Sequence, residues 1–103
     1  MKKRKYPVTA PSGRQYEVTV KRNYAVLGAY SLDFEVARFE ERKSFRRMKS
    51  VRIIEESTRY WERAVIDVVE TAKALVERVD ERLDADARRN ESFDAFDRWD
   101  GVI

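Results

Sequence analysis

Six cations, Arg42, Lys43, Arg46, Arg47, Lys49 and Arg52, follow one another with no acid among them and with Phe45 and Met48 interleaved. Guanidinium and ammonium groups at this density can lie along a row of phosphates and release the counterions condensed there, so the segment is a candidate nucleic-acid contact. Lys2, Lys3, Arg4 and Lys5 would add a mobile basic arm at the amino terminus. The competing reading is an edge strand that its charge keeps from pairing, with the cations neutralised by Glu40, Glu41 or an acidic helix. No glycine–aromatic RNA-binding signature, zinc finger or helix pair around a tight turn accompanies the segment.

A second candidate surface lies at the other end of the chain. Phe93, Phe96 and Trp99, with Val102 and Ile103, form an aromatic stripe set among Asp94, Asp97 and Asp100. Such a stripe either folds back onto its own core or fills the pockets of a partner, with the acids fixing orientation. Leu83, at the end of the preceding apolar pattern, belongs to the same candidate protein contact. The charge of the chain is divided accordingly. Residues 1–54 carry fourteen Lys and Arg against five acids, a net +9, and residues 55–103 carry eight against fourteen, a net −6. Halves of opposite sign can attract each other, a second copy, or separate partners.

Most catalytic chemistries lack their residues. There is no cysteine, hence no thiolate nucleophile, disulfide or cysteine zinc site, and no histidine, the usual general base near neutral pH. The serines therefore have no imidazole to activate them. Gly13, Gly28 and Gly101 stand alone, which rules out a glycine-rich phosphate loop. Glu77, Asp80, Glu81, Asp84 and Asp86 read as the solvated face of a helix rather than as an acid–base pair, which needs one carboxyl desolvated. Asp84-Ala85-Asp86 opens like a calcium loop, but Arg88, Arg89 and Ala95 stand where a ligand, a glycine and a glutamate are required. The expectation is a non-enzymatic chain with no cofactor and no metal. A basic start without a following apolar run, and the lack of any long apolar stretch, point to a cytoplasmic protein with no membrane partner.

The elements that position these residues are legible from periodicity. Tyr6, Val8 and Ala10, then Tyr16, Val18 and Val20, alternate with polar residues on either side of Pro11-Ser12-Gly13, the pattern of a β-hairpin, with Pro7 confining the first strand to an edge. Residues 23–31 fit either a short strand or a wide connection. Leu32, Phe34 and Val36 predict a third strand, with a bulge where Phe39 breaks the parity; a helix over 32–42 is the alternative. A turn at Arg42-Lys43-Ser44 then leads to a fourth strand from Phe45 to Ile54. Ser57 or Thr58 would cap a helix whose apolar face is Trp61, Val65, Val68, Ala72, Leu75, Val79 and Leu83, widened by Ala64, Val69 and Val76. Unbroken from 58 to 89, that helix would be about 48 Å long against roughly 17–20 Å for a strand. Its last turns must then project toward a second copy, or it must stop near 84–91 so that Phe93 to Trp99 fold back.

Thr9-Ala10-Pro11-Ser12-Gly13-Arg14-Gln15-Tyr16-Glu17 and Phe96-Asp97-Arg98-Trp99-Asp100-Gly101 resemble the ends of small uncharacterised accessory proteins of Gram-positive prophages and integrative elements. The resemblance implies an accessory role in a mobile element and brings no catalytic residues with it.

The expected architecture is α+β: one domain, residues 1–103, with a basic sheet half (1–54) of three or four antiparallel strands and an acidic helical half (55–103) ending in a short aromatic segment. The expected function is binding to protein, beginning with self-association into a homodimer and extending to inhibition of a host protein, through Leu83, Phe93, Phe96 and Trp99. The alternative is nucleic-acid binding through Lys3, Arg4, Arg42, Lys43, Arg46, Arg47, Lys49 and Arg52.

Overall fold

Alternation of apolar and polar residues does build the predicted sheet. The computed structural model describes residues 3–24, 30–61 and 66–103. Strands β1 (Lys3–Thr9), β2 (Gln15–Tyr24), β3 (Tyr30–Ser44) and β4 (Arg47–Trp61) form an antiparallel meander in the order β1-β2-β3-β4, followed by helix α1 (Val68–Arg98). The α+β class and the long carboxy-terminal helix are as expected. So is the first turn, where Ala10 N–H donates to the Arg14 carbonyl at 2.9 Å and Gly13 takes φ +92° to re-enter the sheet. Pro7 lies in the edge strand β1, where its missing N–H is harmless. Residues 32–42 are strand and not helix.

The boundaries differ in instructive ways. The turn between β3 and β4 falls at Phe45-Arg46, beyond the expected Arg42-Lys43-Ser44. β4 continues to Trp61, so Ser57 and Thr58 cap nothing and Trp61 is a strand residue; the sheet half runs past residue 54. Glu56, Thr58 and Tyr60 pair with Val36, Phe34 and Leu32, and the β-branched and aromatic residues among them suit a pleated surface better than a helix. The helix starts instead at Val68, with the Asp67 carboxylate accepting from Glu70 N–H at 3.0 Å. The expected apolar positions Ala64 and Val65 lie outside the described residues, as do residues 25–29 of the ambiguous stretch 23–31, whose ends belong to β2 and β3. The bulge exists, but opposite Val36 and Ala37: Val36 pairs with Glu56 and Ala37 with Ile54, leaving Glu55 as the extra residue on β4. Phe39 keeps its parity and simply points outward, half-exposed.

The core lies between the sheet and the first half of α1. Tyr16, Val18, Phe34 and Val36 meet Leu75, Val76 and Val79, with Leu83 partly buried against them. Phe34 and Tyr60 pack edge to face with ring centres 5.6 Å apart. Polar links on both flanks hold the helix to this layer. The bulge turns Glu55 toward it to accept from Arg82 Nη2 at 2.8 Å and from Arg38 Nε at 2.6 Å, while Glu56 pairs with Arg78. On the other flank Arg14 Nη1 reaches Asp84 at 2.6 Å and Asp80 at 3.0 Å.

Asp80 corrects the expectation of a wholly solvated acidic face. It is only 6% exposed and its Oδ1 accepts from Tyr16 Oη at 2.8 Å and Ser12 Oγ at 2.8 Å, besides Arg14. Burial pushes its pKa up, but the hydrogen bonds from Tyr16, Ser12 and Arg14 outweigh burial and hold the carboxyl below its ordinary value. The Tyr16 hydroxyl is driven upward by burial and by its bond to the same carboxylate. Because the native pKa is the lower one, the unfolded chain takes the proton first. The stabilisation from Asp80 is complete above the unfolded value of about 4 and is lost as pH falls through the native one. Asp80→Asn is expected to cost about 1–3 kcal/mol near neutral pH. Urea unfolding across pH checks this, and the variant should lose less stability than the parent on acidification.

Candidate functional site

The basic segment is neither an interior strand nor a covered edge. Pairing of β2 with β3 ends at Glu17 and Ala37, whereas β3 and β4 continue together from Arg38–Ile53 to Ser44–Arg47. Seven residues per strand at 3.3 Å each make a two-stranded arm of roughly 23 Å. Residues 41–50 are all exposed. With the free end of the helix, this arm stretches the molecule to 66 Å and its radius of gyration to 18.6 Å, against about 13 Å for a compact chain of this length.

Charges on the arm are left uncompensated. Arg42 pairs with Glu40 at 3.2 Å, but Lys43, Arg46, Arg47 and Lys49 make no ion pair among the described residues. Arg42 stands directly across from Lys49, a like-charge pairing that costs the ribbon stability. The neutralisation by Glu41 or by the acidic helix that an inert edge would show is absent among the described residues. Phe45 completes the tip in the left-handed region at φ +55°, with its side chain 99% exposed, and Met48 is also largely exposed. An aromatic residue that neither packs nor suits its backbone conformation is costly to folding.

Not every predicted cation belongs to this cluster. Arg52 lies on the sheet's outer face, where its Nε donates to Glu17 at 3.1 Å, its Nη2 pairs with Glu35 at 2.7 Å, and Nη2 also reaches buried Thr19 at 3.2 Å. These hydrogen bonds, the one to Glu35 foremost, raise the Arg52 pKa; the residue is structural. Arg59 clamps Asp33 on the same face with bonds of 2.7 and 3.1 Å, keeping that carboxyl below its usual value. Lys3 and Arg4 are not a mobile arm: they are strand residues of β1, and Lys3 pairs with Lys21 at the end of the sheet remote from the β3–β4 arm. Lys2 lies outside the described residues.

The aromatic segment does not fold back. Helix α1 runs on through it to Arg98, every residue from Asp86 to Ile103 is exposed, and Phe96 and Trp99 contact each other at 6.0 Å between ring centres. Phe93, Phe96 and Trp99 therefore form one free surface, while Leu83 belongs to the core's margin. The burial of Asp80, read with its neighbours as solvated, carried a signal in the sequence: it follows Val76 by four residues, on the flank of the apolar stripe. No helix among the described residues is long and apolar enough to cross a membrane.

The conformation of Phe45 separates folding from binding at the arm tip. Phe45→Gly is expected to raise stability by about 1 kcal/mol, since glycine takes a positive φ freely; a thermal melt checks it, and a fall would show that the ring packs. Comparisons with known proteins place the chain nowhere: no protein-family model, no curated protein and no solved structure matches it.

Proposed function

We propose that this chain is a non-enzymatic binding protein whose β3–β4 arm grips nucleic acid. The observation that carries the reading is a projecting ribbon whose four outermost cations have no carboxylate partner among the described residues. Stability alone does not explain the pairing of Arg42 with Lys49, whereas a row of phosphates between such charges makes it favourable. A two-stranded ribbon also fits the major groove of a duplex, and exposed Phe45 and Met48 are of the kind that wedge between or stack on bases. The free helix end has the opposite sign and suits a protein surface instead. An accessory role in a mobile element, acting in the cytoplasm of its bacterial host, belongs to the same proposal on the strength of the resemblance at the two ends.

Fluorescence anisotropy with duplex DNA, duplex RNA and single strands tests it. Four phosphate contacts predict a slope of about −4 for log affinity against log salt, a loss of a few hundred-fold between roughly 50 and 200 mM. Arg46→Glu with Arg47→Glu should abolish binding while circular dichroism stays unchanged. Arg52→Gln should leave the salt slope unaltered, because that guanidinium is already committed to Glu17 and Glu35. Failure of every oligonucleotide to bind at the lower salt would overturn the proposal.

A further inference from the structure

Helix α1 lies across β2, β3 and β4, while the inward-facing row of the edge strand, Arg4, Tyr6 and Val8, stands at its flank. Between that row and the first turns of the helix runs a groove of about 660 Å³, floored by Val18, Val20 and Leu32 and walled by Val69 and Ala72. Its size is that of a small-molecule site. Tyr6 and Val69, on its two sides, are 45% and 61% exposed, so apolar surface is left in water around it.

The lining is polarised along the strands. Val8 and Val18 lie toward the first turn, where Tyr16 and Asp80 close the body; Arg4 and Arg22 lie at the other end. Val8 and Arg4 are four residue steps apart, roughly 13 Å. Arg4 pairs with Val20, which makes Arg22 its diagonal neighbour on the same face of the sheet. Both arginines are exposed, and neither makes an ion pair among the described residues: Arg4 donates to the Tyr6 hydroxyl at 3.4 Å, and Arg22 lies over the Tyr30 ring at 5.7 Å. Lys73, bonded to Glu70 at 3.4 Å, adds a cation from the helix, and no acid lines the groove among the described residues.

We infer that the groove binds a single-tailed anionic amphiphile, a free fatty acid, with its carboxylate on Arg4 and Arg22 and its hydrocarbon tail along Val20, Val18 and Val8. An apolar trough with one cationic end selects such a molecule on both counts. Two guanidiniums hold a carboxylate by charge-assisted hydrogen bonds, and each methylene covered tightens binding about fourfold. A bilayer carries anionic charge too, but as a plane, whereas these cations sit at the end of a trough whose walls hold the apolar residues. The site is independent of the β3–β4 arm, which leaves the sheet at its opposite end.

Isothermal titration calorimetry of the full-length protein with sodium octanoate, decanoate and dodecanoate, each below its micelle threshold, tests it. One molecule should bind per protein, and each pair of added methylenes should tighten binding by about fifteenfold. Dodecanol, which has the tail without the charge, should bind at least about tenfold more weakly than dodecanoate. Arg4→Gln with Arg22→Gln, both at exposed positions, should bring dodecanoate down to the level of dodecanol and leave dodecanol unchanged. Val69→Glu, at a position outside the core, should weaken both. Dodecanoate that fails to bind, that binds in many copies as a detergent does, or that binds the double variant as tightly as the parent overturns the inference. Attachment to phosphatidylglycerol vesicles without dodecanoate binding overturns it as well, and makes the same cations a bilayer contact.

Discussion

A single sheet with one helix across it has little interior, and the attachment of that helix rests on a carboxylate. Asp80 gathers the Tyr16 hydroxyl, the Ser12 hydroxyl and the Arg14 guanidinium on one oxygen, joining the first β-turn to the middle of α1. A buried charge is tolerable only when paired and hydrogen-bonded, and here both conditions are met by residues of the first turn and of the strand it leads into. With Glu55 and Glu56 holding Arg82 and Arg78 on the opposite flank, the helix is fixed in rotation as well as position. Everything the free end of α1 can reach follows from that orientation.

The uncovered face of the sheet obeys the same economy. Lys5, Glu17, Arg52 and Glu35 form a chain of opposite charges across β1 to β4, and Asp33 with Arg59 forms a second group beside it. Long side chains laid flat shield Thr19, which is buried without any second layer of backbone. Arg59 also lies over the Trp61 ring at 5.7 Å, shielding part of an otherwise exposed aromatic.

Periodicity made most of the fold legible. Tyr16, Val18 and Val20 on one strand and Phe34 and Val36 on another announced their common face, and Leu75, Val79 and Leu83 announced the helix that covers it. The start of the helix was obscured because Trp61 and Val68 are spaced so as to continue its rhythm, while the strand pairing of Thr58 and Tyr60 with Phe34 and Leu32 is a long-range fact that no local window contains. Arg52 and Lys49 looked alike in sequence. What separates them is the length of β2, which ends its pairing at Ala37 and so leaves Arg52 beside carboxylates and Lys49 beyond them. The basic segment itself was evident, but its freedom from the sheet was not, since that depends on β2 ceasing to pair with β3 where β3 and β4 go on together.

The step at Ala37 also divides the molecule into parts that can come apart separately. Inward of it every strand has neighbours and a core; outward of it, two strands hold only each other, with cation facing cation. Isolated two-stranded ribbons are marginal in water, so backbone amides near the tip exchange their protons through local opening, without the body unfolding. Mobile ions, by screening the mutual repulsion of Arg42 and Lys49, lengthen the lifetime of the closed ribbon. The arm is thus a region whose order is set by the anions around it.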